Sequence, residues 1–378
     1  MPTGTGASSL GTTMPLKFQS IAEQVAGAIR TEMENRTWGR LLPGERQLAE
    51  QFHVSRKTVR KALVELRAAG VLQTERGRGS QPSPRRGTRR EPSPRIALLL
   101  PEPLEGSRPF TALWVNHLMS LLQDAGRPLQ IFHGAQYYGA NAARALARLT
   151  SAHSTRCWIV ARSNHTVQQW FAASGQPALI CGSAHPGVAL PSVDVDHRAL
   201  CRHSAALFLR QGHRRLALFL EHGGHGGDVE SEKGFREGLR STPGAAAPLV
   251  CTPERNAASI MRELRRLLNR KEPPTGLLLS NSYSYLTVLS YLGALGRHVP
   301  RDMSIVSRDE ETFLRFLHPT PTYYSTRPAK FARALHQALK RILDGDRTPF
   351  TIRIMPDLVQ GESVGPTASK RVQAAPRH

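Results

Sequence analysis

Four cationic side chains lie close together near residue 58 of this chain. Arg56 and Arg60 are four residues apart, and so are Lys57 and Lys61, which on a helix gives two cationic columns on one side. Both cation types bind phosphate oxygens, and guanidinium also donates to guanine O6 and N7 in the DNA major groove. The spacing therefore favours a DNA-binding helix face, although a solvated helix face without a ligand would show the same spacing.

Two short helices with a tight turn are predicted to position these cations. The second helix follows Ser55, a good N-cap, and ends before Gly70, which adopts the left-handed C′ conformation without a Cβ clash. Its inward stripe is Val59, Ala62, Leu63 and Leu66. The preceding helix begins at Glu45, and its inward positions are Leu48, Ala49 and Phe52. Only His53 and Val54 separate the two helices, as in a helix-turn-helix.

Two further elements flank the helix pair. Residues 16–38 have helical spacing, with an inward stripe of Ile21, Val25, Ala28, Ile29 and Met33. Residues 71–74 are strand-like, and residues 75–80 form a Gly-rich basic tip. Because glycine lacks a side chain that would collide, such a tip can approach a phosphate backbone closely.

The pattern around the helix pair resembles the winged helix-turn-helix of GntR-type bacterial transcription regulators. The matching positions are Leu42-Pro43, Glu45-Arg46, Leu48-Ala49, Val54-Ser55-Arg56, Thr58-Val59-Arg60, Ala62-Leu63, Leu66, Gly70 and Gly77-x-Gly79. Gly44 stands where the family usually has serine, and His53 where it has glycine. The resemblance implies operator contacts from Arg46, Ser55, Arg56, Lys57, Thr58 and Arg60, and from Arg76, Gly77 and Arg78 in the wing.

The composition agrees with a protein that binds nucleic acid or another anionic surface. The chain has 378 residues and a formal net charge of +22, and 40% of its residues are hydrophobic. The hydrophobic content is sufficient for packed cores, so the positive charge does not indicate general disorder. The length predicts two or three domains.

Composition shifts predict the domain boundaries. We expect a disordered N-terminus over 1–14, the winged helix-turn-helix over 15–80 and a linker rich in proline and arginine over 81–94. The linker is either a soluble tether or a segment that follows phosphates near the operator. A two-lobed domain over 95–366 and a disordered tail over 367–378 complete the predicted organisation.

Other classes of site lack a sequence signal. Four cysteines occur singly, at positions 157, 181, 201 and 251, so neither a zinc site nor a disulfide framework is predicted. The N-terminus lacks a signal-peptide pattern, and no apolar run is long enough to span a membrane, so we expect a cytoplasmic protein. The cluster from His222 to His225 has no accompanying catalytic motif and is interpreted as a connection between a strand and a helix. We expect neither an enzyme nor a cofactor or metal site.

From Arg95 onward, short apolar strands alternate with amphipathic helices. The strand-like runs are 96–100, 129–132, 157–160, 178–181, 193–195, 216–220, 277–279, 304–306 and 322–325. Helical patterns cover 112–125, 200–211, 257–268 and 329–343. This alternation is typical of the α/β class, with parallel sheets covered by helices on both faces. The length suits two such lobes.

Several short sequence motifs in this region resemble those of the effector domain of LacI-type regulators, whose fold is shared with periplasmic sugar-binding proteins. They are Val193-Asp194-Val195-Asp196, Gly212-His213-Arg214-Arg215, Gly234-Phe235, the stretch from Val299 to Val306, and Pro356-Asp357-Leu358-Val359. The resemblance covers residues 95–365 and implies a ligand cleft between two lobes. It places Asn281 and Asp309 as ligand groups. Ser231 and Ser282 depart from the family, because they stand where it has an arginine and an aspartate.

Aromatic side chains near strand ends could supply a replacement ligand surface. The candidates are Tyr137, Tyr138, Tyr283, Tyr285, Phe110 and Trp114. Packing between elements is the alternative for each of them, and we favour it for Trp114. For Tyr283 and Tyr285 the alternatives stay open, so the predicted ligand set is Asn281, Tyr283, Tyr285, Asp309 and Ser231.

Together the two resemblances imply a transcription regulator, a repressor acting as a homodimer on double-stranded operator DNA. Its operator affinity would respond to a small-molecule effector, for which a carbohydrate is one candidate. Two alternatives remain at this stage. The chain could be a nonspecific basic DNA-organising protein, or its effector domain could serve only for dimerisation.

Overall fold

A computed structural model describes residues 20–34, 38, 42–68, 71–75, 79–82, 95–240, 242–367 and 370. The chain divides into two compact units, Met1–Arg90 and Glu91–His378. The predicted disordered N-terminus, most of the predicted linker, and the predicted tail apart from Thr367 and Lys370 lie outside the described residues. In the part that the structure describes, no helix is both long and apolar enough to cross a membrane.

The first unit contains three helices and a two-stranded antiparallel sheet. The helices are α1 (Ile21–Glu34), α2 (Glu45–Gln51) and α3 (Arg56–Ala68), and the strands are β1 (Leu72–Glu75) and β2 (Gly79–Pro82). The core includes all four apolar residues predicted on α3, together with Leu48 and Ala49 of α2. The order of helices, turn and hairpin confirms the predicted winged helix-turn-helix.

Helix α1 differs from its prediction in one respect. It ends at Glu34, and residues 16–19 and 35–37 lie outside the described part of the chain. Val25 and Ile29 are buried as predicted, but Ile21 is 63% exposed, so its predicted inward position is wrong. Ile21 is the first residue of the helix, and Ala22 and Ala26 are buried on the inward side instead.

The second unit begins with five strands and the helices between them. These elements are β3 (Ile96–Leu100), α4 (Pro109–Asp124), β4 (Leu129–His133), α5 (Ala142–Ala152), β5 (Cys157–Ala161), α6 (His165–Ser174), β6 (Ala178–Cys181) and β7 (Ser192–Val195). Near the C-terminus, α11 (Pro328–Leu343) and β13 (Thr351–Ile354) return to this group. The six strands form one parallel sheet in the order β13-β7-β6-β5-β3-β4. Helices α4 and α11 cover one face, and α5 and α6 cover the other. We call this group the first lobe.

The remaining elements form the second lobe. They are α7 (His197–Arg210), β8 (Leu216–Phe219), α8 (Gly226–Arg240), β9 (Leu249–Cys251), α9 (Ala257–Leu268), β10 (Gly276–Leu279), α10 (Ser282–Ala294), β11 (Ser304–Ser307), β12 (Thr322–Ser325) and β14 (Asp357–Val359). The strand order is β14-β12-β11-β10-β8-β9, and only β14 is antiparallel to its neighbour. The chain passes between the lobes after β7, β12 and β13, which confirms the predicted two-lobed α/β architecture.

Helices α7 and α8 pack closely because α8 carries glycine at the contact. A Cβ atom at Gly234 would collide with the carbonyl oxygen of Arg198, and one at Gly238 would lie 2.6 Å from the Ala205 Cβ. The two residues of the predicted Gly234-Phe235 motif therefore have different roles. Gly234 allows the approach of α7, and Phe235 is buried in the core that the two helices share.

Candidate functional site

The outward face of α3 carries the candidate DNA-binding cations. The Ser55 hydroxyl accepts a hydrogen bond from the Thr58 amide at 3.1 Å, which confirms Ser55 as the N-cap. Arg56, Lys57 and Lys61 are exposed. Within the described residues of the first unit they form no hydrogen bond or ion pair, so their charges face solvent. Thr58 is half-buried and shares a hydrogen bond with Ser55.

Arg60 and Arg46 have intramolecular partners. Arg60 Nη2 lies 2.9 Å from Glu45 Oε2, and this bond lowers the pKa of Glu45. Since Glu45 is the first residue of α2, the pair ties α2 to α3. Arg46 Nε lies 3.6 Å from Glu50 in an exposed pair, which contributes little to stability. Any DNA contact by Arg60 has to compete with Glu45.

The turn and the wing complete this surface. His53 has a φ of +52°, the left-handed conformation in which the GntR-type pattern has glycine. In the wing, Leu72 pairs with Pro82 and Glu75 with Gly79. Arg76, Gly77 and Arg78 lie outside the described residues, so their predicted DNA contacts stay a prediction.

The second unit has a cleft between its lobes. A cavity of about 190 Å³ lies there at the carboxyl ends of strands from both sheets. Leu100, Ala161 and Cys181 line it at the ends of first-lobe strands, and Arg308 and Asp309 directly follow second-lobe strand β11. The lobes touch at its edge, since a Cβ atom at Gly226 would collide with the carbonyl oxygen of Ser183.

Arg108 of the first lobe bridges the cleft to two carboxylates of the second. Its Nη1 lies 2.5 Å from Asp309 Oδ2, and its Nε lies 2.9 Å from Glu311 Oε1. Burial disfavours the charged guanidinium, but the two carboxylates outweigh this effect and raise the pKa of Arg108. Burial also raises the pKa of Glu311. These paired charges hold the lobes together.

Arg162 forms a second bridge between the lobes. It directly follows β5, has a φ of +50°, and places its Nη2 3.1 Å from Glu221 of the second lobe. The Asn281 amide also donates to Glu221. Burial by itself would raise the pKa of Glu221, but Arg162 and Asn281 lower it to about 2. Both arginines come from the first lobe and their carboxylate partners from the second, so the cleft walls are electrostatically complementary.

Replacing Glu221 with glutamine should remove a pH-dependent part of the stability. A folded-state pKa of about 2, against an ordinary 4.5, stabilises the fold fully above pH 4.5. This contribution is lost as the pH falls from 4.5 towards 2, and it corresponds to about 3 kcal/mol at most. Urea unfolding of both proteins across this pH range would measure it. The exposed Glu272→Gln is the control, and a wild-type advantage that stays constant with pH would contradict the assignment.

The predicted ligand residues occupy three different environments. Asp309 lines the cavity. Asn281 is 4% exposed and lies behind Glu221, with its Oδ1 accepting from the Tyr283 amide at 2.7 Å. Tyr283 is 45% exposed and contacts Phe313, whereas Tyr285 is completely buried in the second-lobe core. The structure therefore separates the two tyrosines, and Tyr285 is a packing residue.

Sequence reasoning missed Arg308, which takes a position beside Ser231. Ser231 is completely buried, and its hydroxyl donates to the Gly227 carbonyl at 2.8 Å. Arg308 Nη1 donates to Ser231 Oγ at 2.7 Å and to Asp228 Oδ1 at 2.8 Å. Because these residues are far apart in the chain, no local pattern indicated the contact.

The other aromatic and histidine candidates also have assigned positions. Phe110 and Trp114 line the cavity, and Trp114 packs against Phe331 with ring centroids 5.8 Å apart. Tyr138 donates to the Ala161 carbonyl at 2.8 Å, inside the first lobe. His225 precedes α8 and lines the cavity, and burial lowers its pKa. No group of His, Cys, Asp and Glu suited to a metal ion occurs among the described residues.

Comparison with known proteins supports both resemblances. Residues 21–81 match a family model described as bacterial regulatory proteins of the gntR family. Residues 205–364 match one described as a periplasmic binding protein-like domain. The HTH-type transcriptional regulator CelR of Thermobifida fusca is 26% identical over 157 residues, which are 41% of this chain and 46% of that protein. The match thus spans about half the length of that relative.

Solved structures show the same fold at low sequence identity. A CelR–cellobiose complex has a TM-score of 0.63 and 20% identity, over 85% of this chain and 100% of that one. A LacI family transcriptional regulator from Bifidobacterium animalis subsp. lactis has a TM-score of 0.64 and 18% identity, over 74% of this chain and 100% of that one. The chain therefore combines an N-terminal helix-turn-helix domain of the gntR type with a periplasmic-binding-protein-like domain, whose fold is also that of LacI family regulators.

Proposed function

We propose that this protein is a sequence-specific DNA-binding transcription regulator, and that a small molecule bound between its two lobes controls its operator affinity. The observation that carries the proposal is the outward face of α3. Arg56, Lys57 and Lys61 are exposed there on a domain that matches the gntR family. A recognition helix with an inward apolar stripe and an outward cationic face suits the major groove.

The cleft supports a sensing role. Its cavity joins two lobes, so a ligand that contacts both walls changes the free energy of closure. Because ligand and DNA would then act on one conformational equilibrium, each would alter the affinity of the other. One solved structure with the same fold is a complex of the transcriptional regulator CelR with cellobiose. A carbohydrate is therefore the ligand class that we propose.

Assembly and mode of action follow from the same reasoning. One α3 helix reads one half-site, so specific binding to a palindromic operator requires a homodimer with two heads. We propose a repressor that acts on such an operator in the cytoplasm. The cleft would act by binding its ligand and not by chemical turnover, in keeping with the regulator relatives.

Selection from a random duplex library with the full-length protein tests the proposal. We expect enrichment of one palindromic sequence, with specific binding roughly 10³-fold or more tighter than binding to random DNA. Fluorescence anisotropy at several salt concentrations would measure both affinities. A steep salt dependence without any enriched sequence would support the nonspecific DNA-organising alternative instead.

A further inference from the structure

Arg308 is held more firmly than a surface arginine would be. Its backbone amide donates to the Leu279 carbonyl at 2.8 Å, and its side chain is 9% exposed. Nη1 donates to both Asp228 and Ser231 of α8. Burial disfavours its charge, but Asp228 and Asp309 outweigh this effect and raise the pKa of Arg308. The guanidinium is therefore charged and fixed in one orientation at the cavity wall.

One donor of this guanidinium has no protein acceptor. Arg308 Nε is buried and makes no hydrogen bond, and Asp309 Oδ1, at 3.9 Å, lies beyond hydrogen-bond distance. A buried donor without a partner is unfavourable, which makes it a candidate for contact with a ligand. Nδ1 of His225 and Nδ1 of His197 are also buried and unpaired, and both residues line the same cavity.

These nitrogen atoms differ in the hydrogen bonds they offer. Arg308 Nε can only donate. His197 Nε2 lies 3.4 Å from Asp194 Oδ1, and its unpaired Nδ1 can donate or accept, depending on which ring nitrogen carries the proton. A hydroxyl group both donates and accepts, so a ligand with several hydroxyls satisfies both kinds of group.

The charges around the cavity argue against an anionic ligand. Its wall contains three arginines, Arg108, Arg162 and Arg308, and four carboxylates, Asp194, Glu221, Asp228 and Asp309. Each arginine already has a carboxylate partner, so no surplus positive charge is available for an acid or a phosphate.

The volume of the cavity limits the size of the ligand. At about 190 Å³, the cavity is smaller than the roughly 300 Å³ at which pockets for drug-sized ligands begin.

We propose that Arg308 is the specificity-determining donor of the cleft, and that its Nε binds an oxygen of an uncharged, hydroxyl-rich ligand the size of one sugar ring. This inference rests on the proposed function and deepens it. Ser231, at the position where the LacI-type resemblance implies an arginine, holds Arg308 instead. The guanidinium missing at 231 is thus supplied from position 308.

Thermal shift and calorimetry on the full-length protein test this assignment. The probes are D-glucose, D-galactose, D-ribose and L-arabinose, together with glucose 6-phosphate and galacturonate. We expect at least one uncharged sugar to raise the melting temperature and neither charged compound to do so. Arg308→Lys keeps the charge but loses the Nε donor, and should weaken binding of that sugar about tenfold or more. The exposed Arg315→Lys is the matched control and should bind like wild type.

The possible outcomes separate this inference from the proposed function. Wild-type affinity in Arg308→Lys, or a preference for a charged probe, would overturn the assignment. Failure of all the uncharged sugars to bind would also overturn the assignment. If the same preparation still bound its operator selectively, the proposed DNA-binding function would remain supported. If Arg308→Lys melts before the assay temperature, Ser231→Ala replaces it. That variant removes one anchor of Arg308 and should weaken sugar binding a few-fold, and no change would again refute the assignment.

Discussion

Replacing Arg56 with alanine should weaken binding to the selected operator by about 1–3 kcal/mol, or roughly 5- to 150-fold. Arg56 is the first residue of α3, is exposed, and has no ion-pair partner among the described residues, so its guanidinium is available to a base edge. A bidentate contact of arginine with guanine discriminates strongly against other bases. Fluorescence anisotropy with the operator and with point variants of it would measure both affinity and specificity.

The control for Arg56→Ala is Arg30→Ala, which removes the same charge from an exposed position on α1. We expect Arg30→Ala to leave the preference among duplexes unchanged. If Arg56→Ala weakens operator and random DNA equally, Arg56 contacts only phosphate. If it weakens neither, the outward face of α3 is a solvated surface and the proposed reading helix is wrong.

Replacing Arg108 with methionine should open the interlobe cleft. The change removes the cation that pairs with Glu311 and leaves Asp309 only the more distant Arg308, at 3.9 Å. Removing one partner of a buried ion pair costs about 3–5 kcal/mol. Separation of the lobes relieves part of this cost, because water can then solvate the carboxylates. Small-angle X-ray scattering should therefore show a larger radius of gyration for Arg108→Met, and urea unfolding a lower stability.

Two further variants make the interpretation of Arg108→Met specific. Arg333→Met removes an exposed arginine from α11, in the same lobe, and should change neither measurement. Adding Asp309→Asn to Arg108→Met removes one of the two carboxylate charges that lost Arg108, and should recover part of the stability. An unchanged radius of gyration together with wild-type stability would show that the bridge does not hold the lobes together.

The bridges made by Arg108 and Arg162 bear on how a ligand would act. Asp309, the carboxylate that sequence reasoning assigned to the ligand, already binds Arg108 across the cleft. A ligand hydroxyl at Asp309 must therefore either share this carboxylate or displace the arginine. Since Arg162 and Glu221 form a separate bridge, a ligand that disturbs one pair leaves the other in place. We infer that closure has an electrostatic contribution from the chain itself, to which ligand contacts add.

Features that depend on neighbouring residues in the chain were predictable. The apolar stripe of α3 and its Ser55 cap are buried and bonded as predicted, because helical period and capping involve residues within four positions of one another. Each predicted strand run coincides with an observed strand, although 216–220 extends one residue beyond β8 and 71–74 begins one residue before β1. Two short strands, β9 and β13, were missed. They are edge strands of three and four residues, which is too short for an alternating pattern to stand out.

The sequence by itself determined the architecture: a winged helix-turn-helix followed by two parallel α/β lobes with a cleft between them. Only the tertiary structure decided which polar groups meet in that cleft. Arg108 and Glu311 are 203 positions apart, and Arg308 and Asp228 are 80 apart, so no periodicity links them. Their pairing depends on lobe closure and on burial, which decide where a charge is stable. Tyr283 and Tyr285 lie two positions apart on α10 and so project from different sides of the helix, and packing against the second-lobe core decided that Tyr285 is the buried one.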